Sequence, residues 1–432
     1  MRLYFLFALT IFVACKAPGG NDSAKKGNVV PDTVSAVSKT LSDSALFDLV
    51  QKQTFQYFWD GAEPESGLAR ERFHADNQYP QNDKSTVTSG GSGFGVMALL
   101  VGIDRGFITR DQGRWRLEKA LHFLENADRF HGAWPHWWYG ETGKVRPFSK
   151  NDDGGDLVET SYMLQGLLCA RQYFRNGNDS EKIVAQRIDS LWKSVEFDWY
   201  QHGKNVLYWH WSPNNGWKMN FPIHGYNETL ITYILAASSP THSIPAIAYH
   251  EGWAENGKIR SLHVEYGDTL QLHYQGNNPY GGPLFWAHYS YLGLDPHGLK
   301  DEYADYWKEN TNLALINYTW CVKNPKNYKG YGTDNWGLTA SYSIKGYAAH
   351  MPGEKNDLGV ISPTAALSSF PYTPKKSMAA MKHWYNDMKD RIWGLYGFYD
   401  AFSETEGWYP KRYLAIDQGP VVVMMENYRS GL

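Results

Sequence analysis

From residue 43 onward, apolar positions recur with a helical period in twelve segments, and these segments alternate in character. Charged, one-faced segments lie at 43–59, 110–130, 180–194, 301–322 and 374–393, with a shorter, weaker one at 244–254. Two have clear start signals: Thr109 with Gln112 forms a capping box, and Thr373-Pro374 places a cap before a proline at the first helical position. Between them lie segments with few charges, at 88–104, 156–174, 227–237, 284–293, 335–346 and 417–428. The stretch Leu284–Gly293 contains no Asp, Glu, Lys or Arg. A helix apolar all round is buried, and one with a charged face lies outside. Six inner helices alternating with six outer ones predict an all-α (α/α)6 toroid. Segments near 244–254 and 363–370 leave the phase of this count open by one helix. One small β-hairpin is inserted: Leu262, Val264 and Tyr266 alternate, Gly267-Asp268 turns, and Leu270, Leu272 and Tyr274 alternate again.

The N-terminus reads differently. Arg2 precedes an apolar run from Leu3 to Val13, too short to span a bilayer as a mature helix. The run ends in Phe12-Val13-Ala14-Cys15, which resembles a bacterial lipoprotein box, with Phe12 where leucine is usual. The expectation is a signal peptide over 1–14, a lipidated Cys15 with a small, polar tether over 15–42, and one catalytic-size domain over 43–432. The mature protein would then be exported and held at the bacterial cell envelope, touching membrane only through its lipid. Cys169 and Cys321 sit in apolar patterns and read as free, buried thiols.

Composition narrows the function. Forty-two basic and 45 acidic residues give a net charge of −3, without the basic excess of a nucleic-acid binder. A mean hydropathy of −0.52 excludes a polytopic membrane protein. The aromatic load is heavy: 18 Trp, 30 Tyr and 19 Phe. Such rings either build an aromatic core or stack on flat ligand faces.

Inner segments carry few charges, so the exceptions are informative. Asp152, Asp153, Asp156 and Glu159 lead into the segment at 156–174, Glu228 opens that at 227–237, and Asp417 opens that at 417–428. In a toroid these starts converge on one mouth. Convergent carboxylates in a concave site are what glycoside hydrolysis needs, one to protonate the leaving oxygen and one to activate water. Helix capping is the competing reading for Asp156 and Asp417, a first-turn acid behind an Asn227 cap for Glu228, and a simple turn for Asp152 and Asp153. Aromatic clusters accompany the acids: Trp134, Trp137, Trp138 and Tyr139 precede Asp152, Trp209, Trp211 and Trp217 precede Glu228, and Trp286 lies near another inner start. Their faces suit sugar rings. Core packing competes here, and neighbouring rings cannot all point inward. His136, His210, His224 and His288 are further candidates for hydrogen bonds to substrate. No HExxH, Cys cluster, P-loop or nucleophile elbow is present, and the GGSGFG run at 90–95 suits tight packing at an inner helix start.

DLVETSYMLQGLLCARQYF, GYNETLITYILAASSPTH, GPLFWAHYSYLGLDP, WGLTASY, GLYGFYDAF and YLAIDQGP, in this order, resemble the bacterial glucoamylase-like domain. In particular they resemble glycoside hydrolase family 144, the β-1,2-glucanases of Bacteroidetes, over roughly residues 45–430. The resemblance implies an (α/α)6 barrel that hydrolyses β-1,2-glucan without a metal or other cofactor. It implies an acidic site of Asp152, Asp156, Glu159, Glu228 and Asp417. Glu228 as general acid and Asp417 as general base is the preferred assignment, with Asp156 or Glu159 as substitutes. A wide gap between the pair would go with inversion. Trp137, Trp138, Trp209, Trp211, Trp286 and His224 are the candidate sugar contacts. The expected partner is a glucan or its oligosaccharides, bound by a monomer. Competing readings are an exo-acting glucosidase on another glucan, a polysaccharide lyase, and a non-catalytic glycan-binding lipoprotein. An acidic site disfavours the lyase, and the recurrence of acids disfavours the pure binder.

Overall fold

Low charge along a segment translates into burial on all sides. The computed structural model describes residues 41–78 and 80–432, so Cys15, the signal peptide and most of the tether lie outside the described residues. Leu41–Leu432 forms one compact unit. Its helices are α1 (Asp43–Trp59), α2 (Pro80–Ser85), α3 (Ser89–Asp104), α4 (Arg110–Asn126), α5 (Leu157–Phe174), α6 (Asp179–Lys193), α7 (Leu230–Ser238), α8 (Tyr306–Lys323), α9 (Pro363–Ser368), α10 (Pro374–Asp387), α11 (Lys389–Ile392) and α12 (Ala415–Arg429). In α3 every residue from Ser89 to Gly102 is buried, whereas α4 buries only Gly113, Leu117, Ala120, Leu121 and Leu124. The contrast between inner and outer helices is the (α/α)6 toroid. The Thr109–Gln112 capping box forms as expected. Among the described residues no helix is long and apolar enough to cross a membrane.

Two inner positions depart from the expected helices. Residues 284–293 form two 3-10 turns, Leu284–Ala287 and Tyr289–Tyr291. Residues 335–346 are buried as far as Ser343 but extended, and Ala340–Ser341 pairs with Ala348–Ala349. Gly337 sits at φ +122° and Gly346 at +101°, a backbone that no right-handed helix admits. The inner helix of this repeat is α9, started by Pro363 at its first turn. The segment at 244–254 contributes one π-helical turn, Ala248–Trp253. The hairpin forms, but it turns at Tyr266-Gly267, both with positive φ (53° and 92°), so that Glu265 pairs with Asp268. Leu270 and Leu272 face the core, while Leu262 (85% exposed) and Val264 point outward. Alternation marked the strand correctly but not its buried face.

Short strands lead into the inner helices. Thr86–Thr88 runs into α3, Gly155–Asp156 into α5 and Arg412–Leu414 into α12. Thr86–Thr88 pairs with Trp137–Tyr139, Gly155–Asp156 with His210–Trp211, and Arg412–Leu414 with Arg72–His74. These ladders fix the mouth of the toroid where inner helices begin.

Inner helices also need close approach. A Cβ on Gly166 of α5 would lie 2.0 Å from the Gly93 carbonyl oxygen of α3, and one on Gly93 would lie 2.2 Å from the Tyr162 carbonyl oxygen. Backbone meets backbone here, and neither atom can yield. Gly166→Ala should therefore cost about 1–3 kcal/mol through overpacking. The check is denaturant unfolding, and wild-type stability would contradict the account.

Candidate active site

Asp156 is the N-cap of α5: its Oδ1 accepts the Val158 and Glu159 N–H groups at 3.0 and 2.9 Å. Its Oδ2 accepts from His136 Nδ1 at 3.0 Å and Trp209 Nε1 at 3.1 Å. Capping and site roles thus coincide in one carboxylate. Three residues on, Glu159 Oε2 accepts the Gly90 N–H at 2.7 Å, a donor freed by the start of α3. A Cβ on Gly90 would lie 2.5 Å from that same oxygen, so the glycine run lets α3 approach the acid. His136 Nε2 lies 4.0 Å from Glu159 Oε1, which places the imidazole between the two carboxylates.

Glu228 is held differently. Asn227 does not cap α7, which begins at Leu230; its side-chain oxygen accepts from the N–H and hydroxyl of Thr229. The Glu228 carbonyl accepts from the Tyr162 and Ser290 hydroxyls. With its backbone fixed, Glu228 is half-buried on the wall of a cavity, and its Oε2 finds no donor. That cavity has a volume of about 430 Å³ and is also lined by Glu71, Arg72, His136, Trp137, Phe148, Glu159, Tyr162, Trp209, Phe285, Tyr289, Tyr342 and Tyr347.

Burial and the charges of Glu159 and Asp156 push the Glu228 carboxyl up to about 7. Burial also raises Glu159 to about 7, against the pull of His136 and the Gly90 N–H. Burial alone would lower His136, but Glu159, Asp156 and Asp152 together raise it to about 10, so the site holds an imidazolium.

Asp417 does not line the cavity. It lies in the first turn of α12, 3% exposed, and its Oδ1 accepts the Tyr289 hydroxyl at 3.0 Å. A helix start favours the ionised carboxylate. Instead burial and the neighbouring Asp400 raise it well above the ordinary carboxylate range.

Other expected contacts separate cleanly. Trp137 and Trp209 face the cavity, and Trp209 stacks on Phe221 at 5.1 Å. Trp138 is fully buried in the core, because adjacent strand residues face opposite ways. Trp211 packs edge-on against His131 and Trp199, away from the cavity. Trp286 is buried and stacks on Tyr274, with its indole N–H directed at the Glu228 carboxyl, where it opposes the rise of that acid. His224 lies in a separate surface hollow with Asn205 and Glu251. Asp152 is buried against His210, 3.1 Å from its Nε2, and Asp153 accepts from Ser212, Asn214 and Asn215 in a turn. His288 bonds Ser369 inside the core. His136, Asp152 and Asp156 bring one ligand-type atom each within 4.8 Å of the others, but both Asp156 oxygens already accept hydrogen bonds.

Known proteins resemble this chain in sequence and fold. The Glycoamylase family, described as "Putative glucoamylase", matches residues 220–432. An endo-β-1,2-glucanase from Chitinophaga pinensis, solved with sophorotriose and glucose, is 72% identical, covers 90% of this chain and 94% of its own, and superposes with a TM-score of 0.90. The chain belongs to the glucoamylase-like family. An exo-β-1,2-glucooligosaccharide sophorohydrolase from Parabacteroides distasonis is 46% identical over 416 residues, 93% of this chain; the chain spans 57% of that curated relative. An endo-β-1,2-glucanase from Talaromyces funiculosus, 10% identical with 90% of this chain and 87% of its own covered, has a TM-score of 0.66 and shares the fold alone.

Within this glucoamylase-like site, sequence reasoning missed Glu71, Arg72, Phe148 and the tyrosines. Tyr342 was hidden in a segment read as helix, and Tyr347 lies just past its end. Phe148 stacks on His136 at 4.2 Å, and nothing in the pattern around it marks that contact.

The imidazolium makes a checkable claim. Its folded-state pKa lies above the ordinary 6.5, so its stabilisation is complete below about 6.5 and is lost as pH rises through about 10. Asp156→Asn keeps a good cap but removes one of the raising charges. The His136 titration followed by NMR should fall by about one pH unit or more. An unchanged midpoint would contradict the ion-pair network.

Proposed function

We propose that this protein is a glycoside hydrolase of family 144 type that cleaves β-1,2-glucan or its oligosaccharides with inversion. Glu228 protonates the leaving oxygen, and Asp417 takes the proton of the attacking water. The observation that carries the reading is Glu228: a half-buried carboxyl on the cavity wall, with an unpartnered oxygen and a pKa pushed up to about 7. An acid so placed is protonated when the reaction needs it and strong enough to give its proton away.

Asp417 reaches the cavity through one hydroxyl. As water attacks, its proton passes to the Tyr289 oxygen while the Tyr289 proton moves to Asp417 Oδ1. The leaving sugar oxygen takes the Glu228 proton, so the site returns to its starting state by passing one proton back through solvent. Trp137, Trp209 and Phe148 offer ring faces to the sugar, and the endo- and exo-β-1,2-glucan hydrolases among the relatives support the linkage. The lipoprotein-box sequence supports an envelope location, with Cys15 lipidated and the toroid tethered outside the membrane.

Incubation with linear β-1,2-glucan should release sophoro-oligosaccharides, while Glu228→Gln should lose at least about a hundredfold in kcat and retain substrate binding. Full turnover by that variant would remove Glu228 from the chemistry. In wild type, kcat/KM should decline as pH rises through about 7, where Glu228 loses its proton. Glu159→Gln removes a charge that raises Glu228, so this basic limb should move to lower pH; movement upward would contradict the coupling. Cys15→Ser should shift the protein from the membrane fraction to the soluble fraction with activity intact, and unchanged membrane association would exclude the anchor.

A further inference from the structure

The reaction uses Asp417, but Asp417 is one half of a pair. Asp400 is fully buried, and its Oδ2 accepts the Tyr342 N–H at 2.9 Å. Its Oδ1 meets no donor, and neither does Asp417 Oδ2. The two carboxyls are within side-chain hydrogen-bonding reach of each other. The charged groups facing the pair are Arg412 and Glu71, and Tyr289, Tyr342 and Tyr347 complete its surroundings. Arg412 is engaged with Asp76 at 3.1 Å and Gln78, so it caps neither unpartnered oxygen.

Two facing carboxylate oxygens, both buried and both without a donor, would repel if both groups were ionised. One proton between them removes the repulsion and satisfies both atoms. We propose that Asp400 is a positioning residue that shares one proton with Asp417, leaving a single charge on the pair and aiming the basic Asp417 oxygen at Tyr289. This rests on the reading of Asp417 as base. The proton moves between the two carboxyls, and while Asp400 holds it, Asp400 donates to Asp417 and leaves Asp417 ionised. When Asp417 takes the water's proton through Tyr289, the pair holds two protons and is neutral, and one returns to solvent before the next turnover. Burial raises both carboxyls, and the charge of Asp400 raises Asp417 further.

Two experiments decide this. Infrared difference spectra at about pH 9, above the range in which Glu228 and Glu159 titrate, should show a protonated-carboxyl C=O band in wild type that Asp400→Asn and Asp417→Asn both abolish. A missing band in wild type, or one that survives in Asp400→Asn, overturns the shared proton. Kinetics supply the second reading. Asp400→Ala strips the donor from Asp417, so the acid limb of kcat should move to higher pH and kcat should fall about tenfold or more with KM little changed. Asparagine at 400 supplies an N–H to Asp417 and an oxygen to Tyr342, and it should restore the limb. An acid limb that stays at its wild-type position in Asp400→Ala, or that asparagine fails to restore, overturns the positioning role. Wild-type turnover in Asp417→Asn would overturn the base assignment instead, and the infrared result would still report on the pair.

Discussion

Charge in a confined aromatic space is the constraint on which this site depends. Asp156, Glu159 and Glu228 converge where inner helices begin, and Glu159 and Glu228 line one cavity. Each has a different remedy. Asp156 is covered by two backbone N–H groups, an imidazole and an indole. Glu159 receives the amide of a glycine that leaves room for it. Glu228 receives no donor on one oxygen and keeps a proton instead. The gradient from well-solvated to unsolvated carboxylate sets Asp156 apart from Glu228, the proposed proton donor, within a few side chains.

The scaffold serves that gradient. Short ladders lead into α3, α5 and α12 and hold their first turns at the mouth. Glycines in α3 and α5 let the inner helices touch backbone to backbone. The free N–H groups of an inner helix start then become ligands for a carboxylate on its neighbour, as Gly90 is for Glu159. His136, donated by the loop before Trp137–Tyr139, supplies the positive charge that the helices lack.

Much of this was legible in the residues, for physical reasons. Helix layers could be read because charge and burial exclude each other along α1, α3, α4, α5 and α6, and the resemblance carried the same architecture. Residues 335–346 misled because a buried extended segment and a buried helix have the same composition; Gly337, with its positive φ, was the available signal. Adjacent tryptophans could be recognised as unable to share a face, but which of Trp137 and Trp138 faced the cavity depended on strand register with Thr86–Thr88. Asp400 lay inside a quoted motif and drew no attention, since it opens no helix. Its meaning comes from Asp417, seventeen residues on, and only folding brings the two oxygens together.

In the proposed mechanism, a proton donor at Glu228 and water activated from the Asp417 side make the reaction a single displacement at the anomeric carbon. Proton NMR of the first minutes of β-1,2-glucan hydrolysis tests that directly, before mutarotation mixes the products. The account predicts that the newly formed reducing ends appear first as the α-anomer. First appearance of the β-anomer would contradict it and require a carboxylate nucleophile in the cavity.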